Sequence, residues 1–218
     1  KRDEEYWYLD GSIVLVAENH AFRVYHGWPA QHSEVFLEIL HLPQPAVAES
    51  IDGCPVVHLP DRRNDIRHLL YYKMEKPLDF RVVSSLIRTG HKYQFDHVVA
   101  EGVRRLKSAY PDSHSVWQSW HDRTAAGNRN IGRTPKLMLH SREDSIGVIN
   151  LAHLVGAESV LPVAFYDCCT LLDSRMLVDG VANSDGTVER LTAEDLDRYL
   201  EGRVILTARG GAAIHRIF

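Results

Sequence analysis

An Asp10-Gly11 turn pair followed closely by Ile13-Val14-Leu15-Val16 sets the course of this chain. The run is short, β-branched and preceded by turn residues, so it reads as a strand. Glu18-Asn19-His20 supplies a second turn, and Ala21-Phe22-Arg23-Val24 follows as another strand with Phe22 and Val24 on one face. Two adjacent strands joined by so short a link pair as an antiparallel hairpin.

Helical spacing then takes over. Ser33 to Leu40 carries Phe36, Ile39 and Leu40 on one helical face and is broken by Pro43-Gln44-Pro45. Pro55-Val56-Val57-His58-Leu59 reads as a third strand, ended by Pro60. Asp61 stands where it would N-cap a helix bearing Ile66, Leu69 and Leu70. Asp79 is placed to cap the next, with Val83, Leu86 and Ile87 inward, and a last helix runs from Phe95 to Leu106 with Val99, Val103 and Leu106 in line. This alternation over residues 6–107 defines one domain. Beyond Pro111 the texture changes: Ala125 to Arg133 is a polar, Gly-containing loop expected to be mobile, and helical patterns resume at Ile146–Ala157 and Pro162–Leu172. Thr192 to Asp195 resembles a capping box before Leu196, Tyr199 and Leu200, closed by Gly202. Residues 108–218 thus form an all-α C-terminal extension. The expected class is α+β, mostly helical, with a small three-stranded sheet capping a helix cluster.

Charge and cysteine usage narrow the functions. With 25 Lys and Arg against 29 Asp and Glu the net charge is −4, so nothing favours a polyanion, and Arg62-Arg63 and Arg104-Arg105 read as solvated helix faces. Cys54, Cys168 and Cys169 are odd in number and match no disulfide framework or zinc site, which suits reduced core thiols in the cytoplasm or nucleus. Lys1 to Glu5 is charged and the early apolar run Ile13–Ala17 is far short of a membrane span of about 20 residues, so neither a secretory segment nor a membrane is expected. The chain does not begin with Met, as expected of a fragment or a processed chain.

Thirteen histidines invite a metal or acid–base reading. His20, His26 and His32 recur every six residues, which places them on one face of neither a helix nor a strand, and no H-E-x-x-H or C-x-x-C occurs. Neither a G-x-S-x-G elbow nor a phosphate-cradling glycine pattern is present. No catalytic residue, metal ligand or cofactor is assigned, although a site assembled from scattered residues would leave no motif. Large aromatics are more suggestive: Tyr6-Trp7-Tyr8, Trp28, and Trp117 with Trp120. They either cap the domain's own core or dock on another chain.

The ordered series of segments in residues 7–107 resembles a BTB/POZ domain. Asp10-x-x-Ile13-Val14-Leu15 with Phe22-Arg23-Val24 looks like its opening hairpin, and His32-Ser33-Glu34-Val35-Phe36 is similar to the segment joining its first two helices. Pro55 to Leu59 fits its third strand, while Asp65-Ile66-Arg67-His68-Leu69-Leu70 and Leu86-Ile87-x-x-Gly90-His91-Lys92-Tyr93 look like its later helices. Such domains carry a His after the Phe-x-Val strand, partnering the Asp before the first strand in a charged pocket. Here Tyr25 holds that place and His26 follows, opposite Asp10. Gly27 and Pro29 disfavour a helix interior, so the first helix is expected to start late or be distorted. Ile149-Asn150-Leu151-Ala152 and Pro162-x-Ala164-x-Tyr166-x-Cys168-Cys169 resemble the helical extension of a group of BTB proteins. The resemblance implies a protein-interaction scaffold without cofactor or chemistry. It implies a homodimer with Trp7, Tyr8, Trp28 and Phe36 near or under the interface, or recruitment of a partner such as a cullin-type ubiquitin-ligase scaffold. The alternatives are a transcription regulator acting through partners, with no direct nucleic-acid contact, and an enzyme with a dispersed site.

Overall fold

The computed structural model describes residues 1–41, 49–70, 76–113, 115–116, 118, 137–169, 174–183 and 186–217. Pro43 to Pro45, Trp117, Trp120 and the loop 125–133 lie outside the described residues. The chain divides into two compact units, residues 1–75 with 81–102, and residues 76–80 with 103–218. The expected division fell at residues 107 and 108, with the first domain starting at Tyr6.

The first unit is built on a sheet of strands β1 (Arg2–Trp7), β2 (Ile13–Ala17), β3 (His20–Val24), β4 (Ser50–Ile51) and β5 (Cys54–Leu59), in the order β1-β3-β2-β5-β4. The β2–β3 hairpin pairs Ile13 with Val24 and Ala17 with His20, and β5 runs parallel to β2 with Val14 beside Val56. These three were expected; the sheet has five strands, not three. β1 adds in parallel outside β3, and β4 folds back on β5. The charged run Arg2 to Glu5 hides a strand because its alternation shows only in the buried Asp3. β4 is reached through Asp52-Gly53, both with positive φ, the geometry an Asp-Gly hairpin turn needs. β2 is apolar on both faces: Ile13, Val14, Leu15 and Ala17 are all buried.

Helices cover the sheet. α1 spans Gly27–His32 and α2 Glu34–His41. The expected late start of α1 is corrected: Pro29 falls in the first turn, where a missing N–H costs nothing. Ser33 separates the two helices, its Oγ accepting from Phe36 N at 2.9 Å while its hydroxyl donates to the Tyr93 carbonyl. α3 (Arg63–Leu70), α4 (Phe80–Lys92) and α5 (Asp96–Ala109) follow. Asp61 does not cap α3; it accepts from the Tyr93 hydroxyl and from Lys92 Nζ at 2.6 Å. On α5 the buried positions are Val98, Gly102, Arg105, Leu106 and Ala109, one residue off the expected Val99 and Val103. A Cβ at Gly102 would stand 2.3 Å from Ile87 Cγ1, so glycine sets how closely α5 approaches α4.

The second unit is not all-α. β6 (Leu78–Asp79) pairs in parallel with β7 (Met138–Leu139), and β8 (Val181–Ala182) pairs antiparallel with β9 (Val188–Glu189). Its centre is α6 (Ser145–Val155), buried from Ser145 to Ile149 and at Leu151 and Ala152, hence apolar on all sides. α6 ends at Gly156, which takes the left-handed conformation of a helix terminus. α7 (Leu161–Cys169), α8 (Ser174–Asp179) and α9 (Ala193–Ile217) complete it. Thr192 caps α9 as expected, accepting from Asp195 N at 3.1 Å, but Gly202 lies inside the helix rather than closing it. Arg105 is fully buried, not solvated: its Nη1 donates to the Lys76 and Leu137 carbonyls at 2.9 and 2.8 Å and anchors the strands of β6 and β7.

Gly102→Ala is expected to lower stability by about 1–3 kcal/mol, the range for overpacking, despite alanine's better helix propensity. In an Ile87→Ala background the same substitution becomes neutral or stabilising, because the added methyl enters vacated space. Urea denaturation of the four chains checks this.

Candidate protein-interaction surface

One end of the first unit's sheet gathers exposed aromatic and aliphatic side chains. Trp7 closes β1 opposite Arg23, half-buried against the Val14, Ala21 and Cys54 cluster, with the Arg2 guanidinium 4.6 Å above its ring. The chain then turns. Tyr8 N donates to the Arg23 carbonyl and Gly11 N to the Tyr8 carbonyl, each at 3.0 Å, and Ser12 N bonds Val24 O. This lifts Leu9 into solvent at 85 % exposure; Tyr8 before it is 40 % exposed, and Tyr25, just past the end of β3, 44 %. Tyr8 and Tyr25 stack with centroids 5.2 Å apart and planes 23° from parallel. The Tyr25 hydroxyl donates to Asp10 Oδ1 at 2.6 Å.

Gly11 makes this turn possible. A Cβ there would lie 2.9 Å from Arg23 Cγ, 3.0 Å from the Tyr8 carbonyl oxygen and 3.2 Å from the Arg23 carbonyl carbon. Two of those atoms are backbone and cannot swing aside. The Arg23 Nε bond to the Gly11 carbonyl, at 2.9 Å, ties the turn back to β3.

The expected charged pocket takes another form. Asp10, Tyr25 and His26 are all exposed. The partner of Asp10 is Tyr25. His26 turns to Ser12, whose Oγ accepts from His26 N at 3.0 Å and lies 3.3 Å from Nδ1. Hydrogen bonding to the Asp10 carboxylate, then desolvation and the Asp10 charge, push the Tyr25 phenol above its ordinary pKa. It stays a neutral donor at physiological pH.

Of the four aromatics expected near an interface, the structure brings only Trp7 and Tyr8 to this end of the sheet. Phe36, expected near or under that interface, is buried at 1 % exposure and packed between Tyr93 and Phe95. Trp28 is half-buried and lies flat on Phe95, centroids 5.5 Å apart. Leu9 was missed; the signal was an apolar residue set in a turn, where polar residues are usual. A second exposed apolar set, Leu200, Val204, Ile205 and Leu206, lies on α9.

Two polar clusters of the first unit invite a chemical reading. Ser85 Oγ donates to Asp65 Oδ1 at 2.6 Å and lies 3.2 Å from His68 Nδ1. The hydroxyl, not the imidazole, stands in the middle, so the serine proton is already committed to a carboxylate. This inverts the order of a nucleophilic triad. Burial holds the His68 pKa down, and the cluster ties α3 to α4. A cavity of about 280 Å³ is lined by residues including Asp3, His20, Phe22, Arg63 and Arg67. Its wall carries more cationic than acidic side chains, and one of the cations is already engaged: Arg67 reaches Asp3 at 3.2 Å and Glu5 at 2.6 Å, while Asp3 also accepts from Glu5 N and Tyr6 N. Among the described residues no three His, Cys, Asp or Glu side chains are placed to hold a metal ion, and no helix is long and apolar enough to cross a membrane.

Gly11→Ala is expected to cost about 1–3 kcal/mol, measured by thermal or urea unfolding. Asp10→Asn, by removing the negative acceptor, should bring the Tyr25 phenol back towards its ordinary pKa of about 10, read by NMR of labelled tyrosine. No protein-family model matches this chain, and a search of the curated proteins finds no significant match.

Proposed function

We propose that this chain is a protein-interaction module of the BTB/POZ kind, which self-associates or recruits a protein partner through the surface formed by Tyr8, Leu9 and Tyr25. The order of elements along the chain supports the BTB reading. A hairpin is followed by two short helices, a strand parallel to the hairpin's first strand, and three further helices. That sequence of elements is the one the resemblance implies. The observation that carries the functional reading is Leu9, a large apolar side chain held 85 % exposed on a hydrogen-bonded turn, next in sequence to Tyr8, whose ring stacks on Tyr25.

The physics favours a docking role. Tyrosine offers large amphipathic contact area with few rotatable bonds, so little entropy is lost when it is covered. The stack and the Asp10 bond hold the rings before any partner arrives, and preorganisation lowers the cost of binding. A self-associated pair and a scaffold subunit such as a ubiquitin-ligase cullin are the two partners this reading names. A specific interface buries about 1,600 Å² in all, so flanking residues such as Trp7 and Asp10 join the contact.

Sedimentation velocity of the whole chain across a concentration series tests self-association. The expected result is reversible dimerisation that Leu9→Asp weakens at least tenfold, about 1.4 kcal/mol. If the chain stays monomeric, the recruitment reading is tested by pull-down with wild type and Leu9→Asp. Identical retained proteins would overturn the assignment of this surface.

A further inference from the structure

A second cluster of the first unit joins two histidines. His32 ends α1 and His97 opens α5, with ring centroids 4.7 Å apart and planes inclined by 59°. Around them runs an aromatic ladder: Trp28 meets His32 edge-on at 6.2 Å and stacks on Phe95, and Phe95 meets His97 edge-on at 6.0 Å. α1 is only six residues long, too short to persist without packing. Its hold on the unit runs through this ladder, the buried Pro29 and the junction at Ser33.

We infer that the His32–His97 pair is a proton-operated latch that holds α1 against the start of α5 when neutral and loosens it when both rings are charged. Two imidazolium groups at this separation repel; His32 is exposed, so water screens part of the repulsion, while His97 is half-buried against the Phe95 ring. Asp96, adjacent to His97, favours its protonation, and Glu101 lies one turn further along α5, half-buried. α4 presents Gly90 and Ile87 to α5, and α2 presents Phe36 to Phe95; none of these is charged. Desolvation first, and His32 second, hold the His97 pKa below the ordinary value.

The sign follows from linkage. A histidine whose folded pKa is depressed binds fewer protons folded than unfolded, so its contribution to stability is complete above about pH 6.5 and is lost as pH falls through the lower folded value. α1 directly follows Tyr25 and His26, so its release would free one side of the tyrosine stack from its anchor.

Hydrogen exchange of the whole chain, corrected for the intrinsic pH dependence, is the direct test. Opening of the amides of residues 28 and 30–32 should rise severalfold as the pH is taken from about 7.5 to about 5.5, the range in which histidine takes up its charge. The rise should vanish in His32→Gln and in His97→Gln. Should either variant fail to fold, NMR titration of the wild type still decides: the two rings should titrate with mutual opposition, one midpoint displaced as the other charges. In a folded His32→Gln chain the His97 midpoint should move up. Independent titration of the rings, or α1 exchange that ignores pH, would overturn the latch. Acid-induced opening confined to the contact of α3 with α4 would assign the sensitivity to His68 instead.

Discussion

The parallel pairing of β2 with β5 is the constraint on which the first unit depends. A parallel neighbour cannot be reached by a tight turn; the chain must cross over and return. Residues between Val24 and Cys54 perform that crossing, and α1 and α2 are the part of it that covers the sheet. Once β2 is enclosed between β3 and β5, both of its faces are apolar surface that must be sealed. Phe22, Phe36, Ile66, Leu69 and Phe95, all buried, contribute to the core. Ser33 then follows from the same geometry. Where two helices meet over a core, the orphan N–H of the second needs an acceptor, and the serine hydroxyl supplies it while satisfying Tyr93.

Buried polar groups recur at the points where elements are joined, and three of them show how such groups are satisfied. Asp3 is saturated by two backbone N–H groups and Arg67. Asp195 receives Thr192 and Arg198 and lies 3.1 Å from His153 Nε2. Arg105 gives its Nη1 to two backbone carbonyls, those of Lys76 and Leu137, and so joins two segments of the second unit. Removing a partner at such a place leaves a desolvated group behind, which is why these joints resist substitution more than surface ion pairs do.

Much of this was legible in the residues. The hairpin, the third strand and most helices announce themselves, because short β-branched runs and 3.6-residue spacing report one-sided burial directly. What was hidden had a physical reason each time. Arg105 beside Arg104 looks like a solvated pair, since sequence gives no hint that unpaired carbonyls await one of them. α5 buries Val98 rather than Val99 because Gly102 lets Ile87 in, and a glycine has no hydropathy to mark a face. The aromatic surface was half readable: Tyr8 and Tyr25 were singled out, but their stacking depends on the parallel register of β1 beside β3, which no local pattern encodes. The burial of Phe36 was not readable, because an aromatic in a short amphipathic helix serves a core and an interface equally well.

β1 lies at the end of the sheet, and one row of its peptide groups therefore faces away from any neighbouring strand in the sheet. An open edge of this kind is a template for fibril growth, since any extended segment can add to it. The strand carries its own deterrent: Arg2, Glu4 and Glu5 line it with exposed charge that an incoming chain would have to desolvate. Colloidal behaviour is thus decided by a few ionised side chains that contribute little to folding. The same residues that disguise this strand as a disordered tail keep the folded protein from becoming a seed.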